Sequence, residues 1–93
     1  MSATIDELTI DYTEDGMQTV KELDKAVLTK GAWTTIMYRY QDLDKRSGEY
    51  GVDKYSIRRY QKTNGEYRLK SKFNISNKEQ AEKVIAILQG WIQ

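Results

Sequence analysis

Residues 55 to 75 run Tyr55-Ser56-Ile57-Arg58-Arg59-Tyr60-Gln61-Lys62-Thr63-Asn64-Gly65-Glu66-Tyr67-Arg68-Leu69-Lys70-Ser71-Lys72-Phe73-Asn74-Ile75, and the Asn64-Gly65 pair decides how the rest is read. Both residues accept positive φ, which a two-residue type I′ hairpin turn demands, so a strand is expected on each side. After the turn, Tyr67, Leu69, Ser71, Phe73 and Ile75 alternate with Glu66, Arg68, Lys70, Lys72 and Asn74. Successive strand residues point to opposite faces, so the first set predicts an apolar face and the second a charged one. Before the turn, Val52 to Gln61 reads as the partner strand, with Ile57 expected inward and Arg58 and Tyr60 outward.

Working outward, Trp33 to Gln41 is rich in β-branched and aromatic residues and predicts another strand. Asp42 to Gly51, with two glycines and five charges, reads as a loop. Thr19 to Thr29 is ambiguous: Met17, Val20, Leu23 and Val27 fit a helical period, while Val27 and Leu28 before Lys30-Gly31 fit a strand. Beyond Ile75 the period changes. Ser76 and Glu79 form a Ser-x-x-Glu capping box, and Ala81, Val84, Ile85, Leu88, Trp91 and Ile92 make a helical stripe. An apolar stripe needs a cover, and the Tyr67, Leu69, Phe73, Ile75 face is the expected one. Ile87 lies off the stripe, either as a lone exposed residue or as part of a subunit contact.

If the helix covers one face, the opposite face presents Arg68, Lys70 and Lys72 on the last strand with Arg58 and Tyr60 beside them. Cations that track a phosphate backbone, interleaved with flat rings for base stacking, are what a binder of single-stranded nucleic acid requires. The competing readings are structural. Tyr and Trp also favour strands and cores, and Lys and Arg on an open strand protect against aggregation.

The chain has 93 residues with 15 Lys plus Arg, 14 Asp plus Glu and no His, Cys or Pro. That length suits a single domain with a small core, to which a partner subunit would add apolar contact. Disulfides, thiolate nucleophiles, Cys/His zinc sites and an imidazole base are excluded. The chain holds no long apolar run, and Met1 to Thr4 resembles no export leader, so a cytoplasmic protein is expected. The net charge of +1 is a cancellation: residues 1 to 24 carry seven acids against Lys21, whereas residues 25 to 75 carry twelve cations against five acids. An acidic flexible arm over residues 1 to 16 and a single ββββα nucleic-acid-binding domain over residues 17 to 93 are expected, the cations clustered in residues 25 to 75 drawing in polyanions.

Tyr55-Ser56-Ile57-Arg58-Arg59-Tyr60 resembles the aspartate-isoleucine-arginine-glutamate-tyrosine-tryptophan strand of the transcriptional positive cofactor four family, single-stranded DNA-binding proteins. Gly65-Glu66, Lys70, Lys72 and Asn74-Ile75-Ser76 are similar to the run before that family's helix, and Lys30-Gly31-Ala32-Trp33 and Arg39 are weaker matches. The resemblance spans roughly Thr19 to Leu88. It implies an α+β fold, a four-stranded antiparallel sheet followed by one C-terminal helix, with Thr19 to Thr29 as the first strand. It also implies a homodimer that binds single-stranded DNA with little sequence preference. Arg39 and Arg58 match arginines of the family's binding surface, and Lys70 and Lys72 its basic positions. Gln61 replaces a tryptophan, Arg59 an acid and Phe73 a glycine.

The expected function is non-catalytic binding of single-stranded DNA, with RNA not distinguished, in transcription regulation or DNA maintenance. The expected site is Trp33, Arg39, Arg58, Tyr60, Arg68, Lys70 and Lys72, with Tyr60 and Trp33 as stacking rings and no cofactor, metal or membrane. The alternative is a protein interaction module whose basic face meets an acidic partner. An enzyme would need a different signal: Asp42, Asp44 and Asp53 could hold a hard cation, but Asp-x-Asp beside Lys45 and Arg46 reads as a solvated turn, and no phosphate loop or nucleophile motif is present.

Overall fold

The computed structural model describes residues 4–93. A 3-10 turn, Ile5–Glu7, is followed by strands β1 (Tyr12–Glu14), β2 (Met17–Thr29), β3 (Trp33–Asp44), β4 (Glu49–Tyr50), β5 (Lys54–Thr63) and β6 (Glu66–Ile75), then helix α1 (Lys78–Ile92). All pairings are antiparallel, in the order β1-β2-β3-β5-β6, with β4 paired to β3. The α+β class and the single C-terminal helix are as expected. The strand count is higher than four, because the Asp15-Gly16 turn folds β1 onto β2 and β4 folds back on β3.

Asn64 and Gly65 adopt φ of 53° and 78°, the conformation their hairpin requires. Thr19 to Thr29 is strand rather than helix: its neighbour β3 supplies the ladder that settles the ambiguity. The helix cap is displaced by one residue from the expected box. Asn77 is the N-cap, its side chain accepting from Gln80 N at 2.8 Å, while Gln80 Oε1 accepts from Ser76 N at 3.2 Å.

The core lies on the face opposite to the one expected. Ile36, Tyr38, Tyr40, Tyr60 and Tyr67 are buried beneath Leu8 and Ile10, which are 5% and 4% exposed. Leu8 and Ile10 of the expected flexible arm thus cover the sheet, since a one-layer sheet must bury one face against something, while residues 1–3 of that arm lie outside the described residues. Register explains the reversal. Ile36 opposes Arg58 and Thr34 opposes Tyr60, so Arg58 and Tyr60 share the covered face with the core of β3. A bulge then interrupts the β5–β6 ladder: Arg59 pairs with Ser71, but Tyr60 pairs with Leu69, leaving Lys70 unmatched. One extra residue reverses the alternation. Tyr67 therefore joins Tyr60 on the covered side, while Phe73 joins Ile57 on the other, and the apolar face expected along β6 is divided between the two sides.

Helix α1 consequently finds no continuous apolar face and buries no residue of its own. Ile85, Ile87, Leu88, Trp91 and Ile92 are exposed, as is Phe73 at 59%. The molecule is a slab of 42 × 39 × 17 Å with a radius of gyration of 14.9 Å, against about 12 Å for a compact chain of this length.

Candidate nucleic-acid interface

The two faces of the β5–β6 hairpin differ in how their cations are partnered. On the face covered by residues 5 to 10, here the arm face, Ser56 opposes Asn74 and Arg58 opposes Lys72. Arg58 Nε donates to Ser56 Oγ at 3.3 Å, and Ser56 Oγ donates to Asn74 Oδ1 at 2.7 Å. This chain fixes the guanidinium along the sheet. Lys62, two residues on from Tyr60, sits over the Tyr67 ring with Nζ 5.3 Å from the centroid. Among the described residues, Arg58, Lys62, Lys70 and Lys72 form no ion pair with a carboxylate.

The opposite, open face carries Trp33, Met37, Arg39, Tyr55, Ile57, Arg59, Arg68 and Phe73 by the same register. Its cations are occupied. Arg39 pairs with Asp53 at 3.2 Å, Arg68 with Glu66 at 3.9 Å, and the Arg59 guanidinium lies 4.3 Å from the Trp33 ring centroid. Asp53 also accepts from Gln41 Nε2 at 2.8 Å.

The expected site residues are thus divided. Arg58 and Lys72 come together on the arm face and Lys70 sits at the bulge, whereas Trp33, Arg39 and Arg68 belong to the open face. Tyr60, expected as a stacking ring, is a core residue at 5% exposure whose hydroxyl is 3.0 Å from that of Tyr38. Burial, and then the hydrogen bond to Tyr60, raise the Tyr38 phenol well above its ordinary range. Lys62 was not among the expected residues. Continuing the period of two through Ser56, Arg58 and Tyr60 would have placed it on the same face.

Two clefts open on the arm face, one on each side of the covering segment. One, of about 520 Å³, is lined by Ile10, Asp11, Tyr40, Arg58 and Asn74 among others. The other, of about 410 Å³, includes Asp6, Val27, Lys30, Lys62 and Tyr67. Asp42 and Asp53, considered as cation ligands, are engaged by Lys54 at 2.7 Å and by Arg39, and the Lys54 ammonium is raised by its hydrogen bond to Asp42. Asp44 Oδ1 accepts from Arg46 N at 2.9 Å. Among the described residues no group of three or more candidate metal ligands converges, and no helix is long and apolar enough to cross a membrane.

Four cations without an ion pair among the described residues, beside partly covered rings on a curled antiparallel sheet with one appended helix, make an arrangement suited to holding a polyanion. Comparison with known proteins brings no match: no family model, no curated protein and no solved structure matches the chain.

Proposed function

We propose that the chain is a non-catalytic, homodimeric module that binds single-stranded DNA along the arm face of β5 and β6, in transcription regulation or DNA maintenance. The observation that carries this reading is the row Arg58, Lys62, Lys70 and Lys72 without a single carboxylate partner among the described residues. Charges left unpaired on a folded surface contribute little to stability but attract phosphates strongly, because binding releases condensed counterions. A single strand suits the face better than a duplex. Among the described residues no α-helix stands on this face to enter a groove, whereas Lys62 over the Tyr67 ring brings together a cation and an aromatic group, the two partners that a phosphate and a base require. The likeness of Tyr55 to Tyr60 to the positive cofactor four strand points the same way.

Surface area supports the dimer. The chain exposes 6673 Å², against about 5,600 Å² for a compact monomer of its mass. The excess of about 1,100 Å² exceeds the roughly 800 Å² each partner contributes to a standard interface. Exposed apolar residues lie on α1, at Ile85, Ile87, Leu88, Trp91 and Ile92, and on the open face at Phe73.

Fluorescence anisotropy with a labelled dT20 strand tests the binding. Arg58→Ala and Lys72→Ala should each lower affinity and reduce the slope of log K against log salt by about 0.7. Poly-glutamate competing as well as unlabelled dT20 would replace nucleic acid with an acidic protein partner. A dT20 slope that neither substitution alters would remove the arm face from the phosphate path.

A further inference from the structure

The segment Thr4–Asp11 lies along the arm face without joining the sheet. Strand pairing begins only at Tyr12, and the polar contacts of the preceding residues with β2 all involve side chains. Lys25 Nζ donates to the carbonyls of Ile5 and Leu8 at 2.7 and 2.6 Å. Glu22 Oε1 accepts from Thr9 Oγ1 at 2.7 Å and from Ile10 N at 3.4 Å, and Asp11 Oδ1 accepts from Glu22 N at 2.6 Å and from Gln18 Nε2 at 3.0 Å. Leu8 and Ile10 are the apolar anchors, set on the Tyr38, Tyr40, Tyr60 and Tyr67 cluster. Removing the segment would break no sheet ladder.

Its charge is the second observation. Asp6 and Asp11 stand at the two clefts that flank it, Asp6 in the one with Lys30 and Lys62, Asp11 in the one with Arg58. An anionic peptide, a 3-10 turn at Ile5–Glu7 followed by an irregular run to Asp11, thus lies between the cations that a phosphate backbone would seek, and above the rings that bases would seek. From this we infer that Thr4–Asp11 occupies the track of the nucleic acid and is displaced by it, the inference resting on the single-strand reading above. A single strand offers what the segment supplies: negative charge at short intervals and apolar groups that face the tyrosines, Leu8 and Ile10 in the segment and base rings in the strand. Each nucleotide carries both a charge and a base, whereas the segment divides these between Asp and Leu or Ile. The bound strand is therefore the stronger ligand, and the segment sets a threshold that short or weakly charged anions do not pass.

Hydrogen exchange in the full chain reads the displacement directly. On saturation with dT20, the amides of Leu8 and Ile10 should lose protection while those of β3 keep theirs. A full-chain Leu8→Ala/Ile10→Ala variant, which changes no charge, should bind dT20 about tenfold more tightly, because apparent affinity scales with the fraction of molecules whose face is open. Circular dichroism shows whether that variant is folded; if it is not, exchange in the unaltered chain decides alone. Binding of dT20 with unchanged or increased protection of Leu8 and Ile10 would overturn displacement and leave the single-strand reading intact. Equal affinity of a folded variant would do the same. Failure of both proteins to bind dT20 would overturn the two together.

Discussion

On the arm face, Tyr38, Tyr40, Tyr60 and Tyr67 lie under Leu8 and Ile10, and Arg58, Lys62 and Lys72 form no ion pair among the described residues, while Lys54 is paired with Asp42; on the open face, Phe73 is exposed, and Arg39 and Arg68 are paired with Asp53 and Glu66. The same residue types are finished in opposite ways. Where apolar groups are satisfied within the chain, charge is left over. Where charge is satisfied, apolar surface is left over. Free charge recruits a polyanion, and free apolar surface recruits a partner of like character. On the proposed function, one sheet separates a binding side from an assembly side.

Substitution at matched aromatic positions gives the largest contrast. Tyr60→Ala on the arm face should destabilise the fold by about 3 to 5 kcal/mol, while Phe73→Ala on the open face should change the stability of the dilute chain by less than about 0.5 kcal/mol, both read from urea midpoints. Equal losses would mean that the open face is covered in the monomer. For assembly, Ile85→Asp on α1 should halve the gel-filtration mass with far-ultraviolet dichroism unchanged, since a charge buried in the interface would lack a partner.

The hydroxyl pair of the core has its own signature. Tyr60→Phe leaves Tyr38 Oη buried without its partner and should cost about 1 to 3 kcal/mol. Because Tyr38 is raised by burial and by that bond, the folded chain keeps its proton where the unfolded chain releases it. Stability is full below the ordinary tyrosine value of about 10 and declines as pH rises above it. Thermal unfolding followed from pH 9 upward should show this decline, flattened in Tyr38→Phe. The smallest expected effect is at Arg39: Arg39→Ala should alter the salt slope for dT20 by less than about 0.3, compared with about 0.7 for Arg58→Ala. Matching slopes would place the phosphate path on both faces.

Much of the secondary structure was legible. Asn64-Gly65, the β-branched run from Trp33 and the change of period after Ile75 each reflect local preferences that tertiary contacts did not reverse. The Asp15-Gly16 turn was equally readable, with φ of 52° and 80°, and announces β1. The site was legible only as a set of residue types. Arg58 and Lys72 do meet, but Arg68 does not join them, because strict alternation fails where the β5–β6 ladder skips a residue; Trp33 and Arg39, singled out by the family resemblance, fall on the open face through the unbroken register of β3 with β5. Nothing in Leu69-Lys70-Ser71 marks that skip. Its cause is non-local, in the match of β6 to β5.

Residue chemistry along the chain determined that this protein is an α+β sheet with one C-terminal helix, that its cations concentrate in residues 25 to 75, and that cysteine and histidine chemistry is unavailable to it. Tertiary structure alone decided which face is inside. A shift of one residue costs almost nothing in local propensity yet moves every later side chain across the sheet. The choice therefore rests with long-range partners: Leu8 and Ile10, some thirty to sixty positions from the tyrosines they cover, settle the matter by the apolar surface they bury.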